Sequence, residues 1–472
     1  MKIVTAAEMR EIDARTIAAG LPDLVLMENA AHRVVELLER VFPSLATQRI
    51  LIFAGKGNNG GDGLAIARIL WTRFAPSALD VVIPIGINAA HPQLALLRAS
   101  GFTAIHTAIP THVRTATIVI DALLGTGLSG PAREPYAAEI AEINSGFPLA
   151  KIVAVDLPSG MNADTGVAAG AVVRADYSVT FTAPKLAHLL GQGLGQITVS
   201  PIGTPTAMLD EIRLCENEPS LWRHLFAPRP VEGHKGTFGH VLCIGGAQGK
   251  TGAIAMTGLA ALRMGAGLVT VATTATSLPT PELMTIPLAD DWNALSYDSI
   301  AIGPGLGPDP FVPSFVAACP VPMVVDADGL SALADAMPTA FAGPRVFTPH
   351  PGEMARLLGR PVADRLADAQ HFAATHGVIV VLKGHRTVIA HPDGRTALNP
   401  TGSPAMATAG SGDILTGLLA ALLVRTDAWT ATLAAVYLHG LCGELAAAEL
   451  TESCVVATDL LRYLPEAIRR SA

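Results

Sequence analysis

The sequence has few aromatic side chains (5%) and few charged ones (15%), and its net charge of −8 includes no run of basic residues. Because proteins bind nucleic-acid backbones largely through clustered basic side chains, we expect no nucleic-acid partner. The most apolar helical segment, residues 414–424, is shorter than the roughly 18 to 20 residues needed to span a bilayer. The first ten residues carry charge too early for a signal peptide, so we expect no membrane association.

Cysteine is also scarce. The five residues are odd in number, are scattered along the chain and include no Cys-x-x-Cys pair. They are Cys215, Cys243, Cys319, Cys442 and Cys454. This usage is typical of a reduced protein of the cytoplasm without zinc-bound cysteines. Hydrophobic residues, in contrast, make up 50% of the chain, which favours compact domains with sizeable cores.

The length of 472 residues predicts more than one domain, because a single core rarely serves more than about 250 to 300 residues. A proline-containing stretch at residues 204–233 breaks the pattern of strands and helices, and we place the domain boundary within it. The two predicted domains are residues 1–214 and residues 215–472. Short apolar runs alternate with helical stretches in both, so each is expected to be a three-layer α/β domain around a mostly parallel sheet.

In the first domain the predicted strands are 49–54, 79–85, 117–121, 152–156 and 177–181, and the predicted helices include 7–18, 27–40 and 63–74. In the second domain the predicted strands are 240–244, 268–272, 299–302, 323–326, 346–348 and 378–383. These runs are rich in β-branched residues and end in glycine or polar turns, which is typical of buried strands.

Polar, glycine-containing motifs at residues 55–63, 121–131 and 156–160 each follow a predicted strand of the first domain. Ligands bind at the carboxyl ends of strands in open parallel sheets, so this shared placement predicts one site. The glycines and asparagines of the first motif can hold a phosphate at a helix N-terminus, although a tight strand-to-helix turn explains that motif equally well. The oxygen atoms of Asn59, Asp121 and Ser159 suit a hard cation better than zinc.

Together, the three motifs resemble the NAD(P)H-hydrate epimerase domain over residues 1–210. The resemblance implies a Rossmann-like fold, K⁺ bound by Asn59, Asp121 and Ser159, and Asp156 as a catalytic residue that faces the hydrated nicotinamide. It also implies that two segments bind the dinucleotide. Their residues are Asn58, Asn59, Gly60, Gly61 and Asp62 in the first, and Gly125, Thr126, Gly127, Leu128, Ser129, Gly130 and Pro131 in the second.

The second domain contains Gly410-Ser411-Gly412-Asp413 at the start of an apolar helix. Helix amides can stabilise a transferring phosphoryl group while the carboxylate accepts a hydroxyl proton, as in ribokinase-like kinases, which this motif resembles. The plain structural alternative is an aspartate that caps the helix. With the motifs at residues 234–236, 303–307, 348–353 and 383–384, it resembles the NAD(P)H-hydrate dehydratase domain over residues 220–472.

This second resemblance implies a ribokinase-like fold in which Ala253, Gly305, His350 and Asp413 contact the hydrated substrate, with Asp413 as the base. The residues implied to bind the adenine nucleotide are Lys383, Gly384, His385, Arg386, Thr387 and Gly412. Fused bacterial members of the family use ADP, and Mg²⁺ is expected with its phosphates. The chain departs from the usual Gly-Asn-Pro-Gly at residues 402–405, where it has Gly-Ser-Pro-Ala.

The two resemblances together predict metabolite repair of hydrated NADH and NADPH. The first domain would interconvert the R and S hydrates, and the second would dehydrate the S hydrate to NAD(P)H while ADP yields AMP and phosphate. The alternative is a ribokinase-superfamily small-molecule kinase with a non-catalytic N-terminal binding domain. We expect a homo-oligomer, and the sequence leaves open both the choice between ADP and ATP and that between NADH and NADPH hydrates.

Overall fold

The protein is described from a computed structural model for residues 1–86, 91–128, 130–288 and 293–472. The chain divides into one compact unit of Lys2–Ile212 and a second of Arg213–Ala472 together with Met1. The division falls two residues before the predicted boundary, because Leu214–Glu216 forms a strand that pairs within the sheet of the second unit. None of the five cysteines, all within the described ranges, forms a disulfide.

The first unit is built on a parallel sheet with the strand order β3-β2-β1-β4-β5-β6-β7. Its strands are β1 (Arg49–Ala54), β2 (Ala78–Val82), β3 (Ile105–His106), β4 (Ile118–Ala122), β5 (Lys151–Val155), β6 (Tyr177–Phe181) and β7 (Gln196–Ser200). Its helices are α1 (Ala6–Ala18), α2 (Asp23–Val41), α3 (Asn58–Arg73), α4 (Pro92–Ala99), α5 (Tyr136–Ser145) and α6 (Leu186–Leu190). The order reverses direction beside β1, as in the Rossmann arrangement, so the predicted class is confirmed.

The central strands are apolar because hydrophobic clusters cover both faces of the sheet. Helix α3 begins at Asn58 rather than at the predicted residue 63, so most of the glycine-rich motif is helix rather than loop. The glycines make this possible, since a Cβ atom at Gly60 would lie 1.8 Å from the carbonyl oxygen of Gly55. The first turn of α3 therefore lies directly against the end of β1.

The second unit has a sheet of order β11-β10-β9-β12-β13-β14-β15-β16-β17-β8. Its strands are β8 (Leu214–Glu216), β9 (His240–Ile244), β10 (Leu268–Thr273), β11 (Met284–Pro287), β12 (Ser299–Ile302), β13 (Met323–Val325), β14 (Arg345–Phe347), β15 (Ile379–Leu382), β16 (Val388–Ala390) and β17 (Thr396–Leu398). Pairing is parallel except on the two sides of β16. The predicted α/β class is confirmed here too.

The helices of the second unit are α7 (Thr251–Met264), α8 (Val312–Ala318), α9 (Ala327–Asp335), α10 (Pro351–Leu358), α11 (Arg365–His376), α12 (Ser411–Leu423), α13 (Ala428–Leu450) and α14 (Asp459–Ser471). By length and composition alone, α13 could cross a membrane, and it is longer than the segment 414–424 considered from the sequence. However, 67% of its most apolar window is buried within the unit. A core helix of a soluble protein passes the same test, so α13 is weak evidence for a membrane span.

Helices α7 and α12 pack closely through small residues. A Cβ atom at Gly417 of α12 would lie 2.0 Å from the carbonyl oxygen of Thr257 and 2.7 Å from the Cβ atom of Ala260, both in α7. Because the nearer obstacle is backbone, it cannot move aside as the end of a side chain would. The spacing of the two helices therefore depends on this glycine.

We expect Gly417→Ala to destabilise the protein by about 1 to 3 kcal/mol or more, because the added methyl group overpacks a rigid contact. The measurement is the midpoint of thermal unfolding. Gly252→Ala in α7 is the matched control, since nothing lies within 4 Å of its added Cβ atom. An unchanged midpoint in Gly417→Ala would contradict the tight α7–α12 contact.

Candidate active sites

A cavity of about 480 Å³ opens in the first unit at the carboxyl ends of β1, β4 and β5. Its walls include Asn58, Asn59 and Asp62 from α3 and Asp156 from the loop after β5. From the segment after β4, Gly125, Thr126, Gly127 and Leu128 also line it. The structure thus brings most of the predicted epimerase residues to one place.

Other residues predicted for this site lie differently. Gly60 and Gly61 are buried inside the packing of α3, where a Cβ atom at Gly61 would lie 2.7 Å from the sulfur of Met27. Gly130 and Pro131 are not among the residues that line the cavity. Ser129 lies outside the described residues.

The predicted cation ligands surround the end of β4. The hydroxyl of Ser159 donates to one oxygen of buried Asp121 at 2.5 Å, and its backbone N–H donates to the other at 2.7 Å. Burial raises the pKa of Asp121 to about 6, against the effect of these hydrogen bonds. The Leu124 amide donates to the same hydroxyl at 2.9 Å, and Gly125, the next residue, lies against the side chain of Asn59.

The side chain of Asn59 has an unusual environment. Its Oδ1 and Nδ2 atoms are both buried and have no hydrogen-bond partner among the described residues. Burying an amide without partners costs free energy, so a group that satisfies it is expected to bind there. The Asn59 oxygen together with the Asp121 and Ser159 oxygens forms a donor set of the kind that suits a hard cation.

Asp156 stands at the end of β5 with a left-handed backbone (φ +64°). Its Oδ1 atom accepts a hydrogen bond from the Lys185 ammonium at 2.7 Å and another from the Thr180 hydroxyl at 2.9 Å. Although burial raises the pKa of Asp156, the Lys185 charge and these hydrogen bonds hold it below its ordinary value. Asp156 is therefore ionised at neutral pH.

Two further carboxylates face the same cavity, Asp62 from α3 and Asp13 from α1. Burial raises the pKa of Asp62 well above its ordinary value, and the charges of Asp156 and Asp13 raise it further. Burial also raises the pKa of Asp13 to about 6, although Lys185 opposes this. The site thus combines one carboxylate of lowered pKa with two of raised pKa, a separation typical of acid–base chemistry.

Sequence reasoning missed Asp13 and Lys185. Lys185 follows β6 in a segment without glycine, and Asp13 lies on α1, far from each motif in the chain. The available signal was helical periodicity, because Met9, Ile12 and Thr16 form the buried face of α1 and Asp13 borders it. Neither residue could be connected to the site without the tertiary structure.

In the second unit, α12 begins at Ser411 and is capped by Gly410, whose backbone is left-handed (φ +92°). Asp413 is the third helical residue, so the alternative that it caps the helix is wrong. The ring Nε2 atom of buried His439 donates to the Ser411 carbonyl at 2.9 Å, which holds the first turn in place. Burial and the charge of Asp326 raise the pKa of Asp413 to about 6, whereas Lys383 lowers it.

An ion pair between the partly buried Lys383 and the buried Asp326 lies beside this helix terminus. The Lys383 ammonium is 2.9 Å from an oxygen of Asp326 and 3.8 Å from an oxygen of Glu353. The hydroxyl of Thr416 in α12 donates to the second Asp326 oxygen at 2.8 Å. Gly412 lies against the pair, since its added Cβ atom would be 3.3 Å from the Lys383 nitrogen. Asp326 is the last residue of the predicted strand 323–326, and it was not predicted as a site residue.

The other predicted dehydratase residues occupy two places. Gly305 (φ +63°) packs against α7, where its added Cβ atom would lie 3.3 Å from that of Ala253. The ring Nδ1 atom of His350 accepts from the amides of Gly352 and Glu353 at 3.0 and 3.2 Å and so caps α10, while half of the side chain stays exposed.

The predicted nucleotide segment, residues 383–387, forms the turn between β15 and β16. The Thr387 hydroxyl donates to the Gly384 carbonyl at 3.0 Å, and Arg386 has a left-handed backbone (φ +52°). The Arg365 guanidinium, which sequence reasoning missed, donates to the His385 carbonyl at 2.6 Å. These contacts fix the turn. His385 is exposed, whereas the Arg386 guanidinium donates to the Pro400 carbonyl at 2.8 Å.

Comparison with known proteins gives consistent matches to both units. The family described as YjeF-related protein N-terminus matches residues 23–187, and the family described as NAD(P)H-hydrate dehydratase matches residues 241–466. The bifunctional NAD(P)H-hydrate repair enzyme Nnr of Moorella thermoacetica is 41% identical over 515 aligned residues, covering 99% of this chain and 97% of that protein. The enzyme of the same name from Escherichia coli is 36% identical, covering 94% of this chain and 89% of that protein.

Among solved structures, an ADP/ATP-dependent NAD(P)H-hydrate dehydratase from Bacillus subtilis, co-crystallized with ATP/Mg²⁺, is 36% identical to this chain. The match covers 53% of this chain and 96% of that one, with a TM-score of 0.48.

Each α/β unit holds an aspartate of shifted pKa, Asp156 at the end of β5 and Asp413 in the first turn of α12, as expected of an enzyme with two sites. The chain belongs to the family of bifunctional NAD(P)H-hydrate repair enzymes, since relatives of that name match nearly its whole length. The resemblance predicted from the motifs is confirmed, and the protein has an epimerase region and a dehydratase region.

We expect Lys185→Met to destabilise the first unit by about 3 to 5 kcal/mol at neutral pH, because it leaves the buried Asp156 charge without a partner. Without Lys185, burial raises the pKa of the folded Asp156 above its unfolded value. The penalty therefore applies while the group is ionised and decreases as the pH falls through the raised pKa. The difference between the thermal midpoints of variant and wild type should be largest at pH 7 to 8. It should shrink as the pH falls towards about 4, the ordinary pKa of a carboxyl group.

Lys151→Met is the matched control, because Lys151 and Asp176 form an ion pair of the same 2.7 Å length in which the lysine is 57% exposed rather than 2%. An exposed pair contributes at most about 1 kcal/mol. Equal losses in the two variants would contradict the importance of the buried pair.

Proposed function

We propose that this enzyme repairs hydrated NADH and NADPH in two steps. The first unit interconverts the R and S hydrates, and the second dehydrates the S hydrate with ADP as phosphoryl donor. The observation that carries the proposal is Asp413, an acid with a pKa of about 6 in the first turn of α12, beside the Lys383–Asp326 pair. An ionisable base at a helix N-terminus is the combination that phosphoryl transfer to a hydroxyl requires.

In the second unit, Asp413 takes the proton of the substrate hydroxyl. The oxygen of that hydroxyl attacks the β-phosphorus of ADP at the same time, and AMP is released. The C–O bond to the new phosphate then breaks, the neighbouring carbon loses a proton, and the dihydronicotinamide ring is restored. Hydroxide would be a poor leaving group, whereas phosphate is a good one. The products are AMP, phosphate and reduced coenzyme. No separate water molecule is released, because the hydroxyl oxygen of the hydrate leaves as part of the phosphate.

We assign the substrate contacts of this unit to Ala253, Gly305, His350 and Asp413. Ala253 and Gly305 lie against each other and are both partly exposed, and half of the His350 side chain is exposed. The nucleotide contacts are assigned to Gly412 and to the turn of residues 383–387, whose rigidity favours a defined phosphate position. Mg²⁺ bound to the nucleotide supplies positive charge to its phosphates.

In the first unit, Asp156 acts on the hydrated nicotinamide. The stereocentre bears both a hydroxyl and a ring nitrogen, so reversible loss of water or ring opening inverts it. The ionised Asp156 accepts a proton from the substrate, and Asp62 or Asp13, whose pKa values are raised, can return one. The dinucleotide is held by Asn58, Asp62 and residues 125–128, which line the cavity.

K⁺ is proposed for the oxygen atoms of Asn59, Asp121 and Ser159. The support is that the buried amide of Asn59 has no partner among the described residues, while the oxygens of Asp121 and Ser159 are brought together at the end of β4. K⁺ bound there would supply a fixed positive charge near the dinucleotide phosphates. Asp121 has to be ionised for this role, so K⁺ binding should weaken as the pH falls through about 6.

We further propose that the chain works in the cytoplasm, where its cysteines stay reduced. A homo-oligomer stays a prediction, as do the domain limits of residues 1–214 and 215–472. These features do not alter the chemistry assigned to either site.

We expect Asp413→Asn to lower the rate of ADP-dependent dehydration by about 10² to 10⁴-fold, the usual loss when a general base is removed. Recovery of the dihydronicotinamide absorbance from S-hydrate and ADP measures it. In the wild type, kcat/KM should fall as the pH decreases through about 6, because the base becomes protonated. Asp459→Asn, in the first turn of α14, is the control and should retain the rate.

Epimerisation by Asp413→Asn should be unchanged, which separates the two activities. A stable phosphorylated product without recovery of the absorbance would instead favour the small-molecule kinase. Comparison of AMP and ADP release with ADP and ATP as donors determines the preferred nucleotide.

We expect Asp156→Ala to leave conversion of the S hydrate intact while conversion of the R hydrate stops, because only the first unit inverts the stereocentre. Chromatographic separation of the two hydrates during turnover with ADP measures both. Asp210→Ala removes an exposed acid of the same unit and should behave like the wild type. If Asp156→Ala consumes both hydrates at the wild-type rate, the assignment of Asp156 is wrong.

A further inference from the structure

A cluster of one carboxylate and two imidazoles lies at the edge of the first sheet, among residues that the repair chemistry does not use. Asp80 is buried in the middle of β2, His106 lies on the neighbouring edge strand β3, and His112 lies in a short 3₁₀ helix, Thr111–Thr115. The Nε2 atoms of His106 and His112 are 2.8 and 3.1 Å from the same oxygen, Oδ1 of Asp80. The three potential ligand atoms all lie within 4.8 Å of one another.

The buried carboxylate of Asp80 is paired with two imidazoles. Within the described parts of the chain, the ion-pair partners of Asp80 are the two imidazoles, and no lysine or arginine pairs with it. A carboxylate oxygen can only accept, so both Nε2 atoms donate to one oxygen when no cation is bound. A single cation at the point where they converge would satisfy the carboxylate and both nitrogen lone pairs together.

The distances fit a first-row transition ion. Zinc binds imidazole nitrogen and carboxylate oxygen at about 2.0 to 2.2 Å, so ligand atoms in a tetrahedral site are about 3.3 Å apart. The observed separations of 2.8 and 3.1 Å need to lengthen by only a few tenths of an ångström. The rings meet edge to face with centroids 6.0 Å apart, and both Nε2 atoms are in hydrogen-bond contact with the carboxylate.

The cluster is separate from the epimerase cavity, which none of its three residues lines. A small cavity of about 20 Å³ borders Asp80 and His112, enough for about one water molecule. His112 is 62% exposed, so solvent and ions reach the ring directly. A fourth coordination position can therefore be filled by water.

We propose that Asp80, His106 and His112 bind one Zn²⁺ ion, with water as the fourth ligand. Two imidazole nitrogens and one carboxylate oxygen favour zinc over K⁺ and Mg²⁺, which prefer sites made of oxygen alone. The ion fastens the two-residue strand β3 and the 3₁₀ helix to β2. Its binding therefore stabilises the folded first unit by mass action.

The test uses the full-length protein, freed of metal by chelation and then dialysed against Zn²⁺ with K⁺ and Mg²⁺ in excess to occupy oxygen sites. We expect one equivalent of zinc per chain and a thermal midpoint that rises with zinc concentration. His112→Ala removes an exposed ligand and should lower the affinity at least about tenfold, the scale of loss seen even for supporting contacts. Asp80→Asn should do the same.

The matched control is His391→Ala, which removes an imidazole whose Nδ1 atom pairs with Asp393 at 2.8 Å without a second histidine in the pair. It should keep the full zinc equivalent and the thermal shift. Wild type loaded with Co²⁺ gives a second measurement, because intense visible absorption reports tetrahedral nitrogen and oxygen ligands. This measurement does not depend on whether the variants fold. Absence of zinc uptake by the wild type, or equal loss in His391→Ala and His112→Ala, would overturn the proposal.

Discussion

Each unit of this protein pairs one largely buried carboxylate with the positive charge of one lysine. Lys185 pairs with Asp156 in the first unit, and Lys383 pairs with Asp326 in the second, at 2.7 and 2.9 Å. Both aspartates stand at the carboxyl end of a parallel strand, where side chains of neighbouring strands converge. Burial raises the pKa of the remaining acids in each site, and the lysine opposes that effect at Asp13 and Asp413.

The pairs also divide the acids of each site by function. Lys185 helps to hold the pKa of Asp156 below its ordinary value, whereas burial and the charges of Asp156 and Asp13 raise the pKa of Asp62. In the second unit the lysine pairs with Asp326 instead, and burial and the Asp326 charge raise the pKa of Asp413 to about 6, although Lys383 lowers it. Asp413 can therefore exchange a proton near neutral pH, which suits a base that has to release what it accepts.

The sequence predicted the fold class and the gathering of motifs at strand ends, because strand periodicity and turn residues are local signals. It did not predict β3, with two residues, or the antiparallel strands β16 and β17, with three each. The turn between β16 and β17 contains Pro392, Asp393 and Gly394, a hairpin signal that the short flanking runs obscured. Asp13, Lys185 and Arg365 were missed because their roles arise from contacts distant in sequence.

The start of α3 has a further consequence for ligand binding. Because Gly60 has no room for even one methyl group against Gly55, this helix terminus cannot move further towards β1 when a molecule arrives. The amides of its first turn are preorganised, and a ligand loses little affinity to ordering them. The same rigidity sets a fixed limit on ligand size at that wall, so selectivity there is expected to come from shape rather than from induced fit.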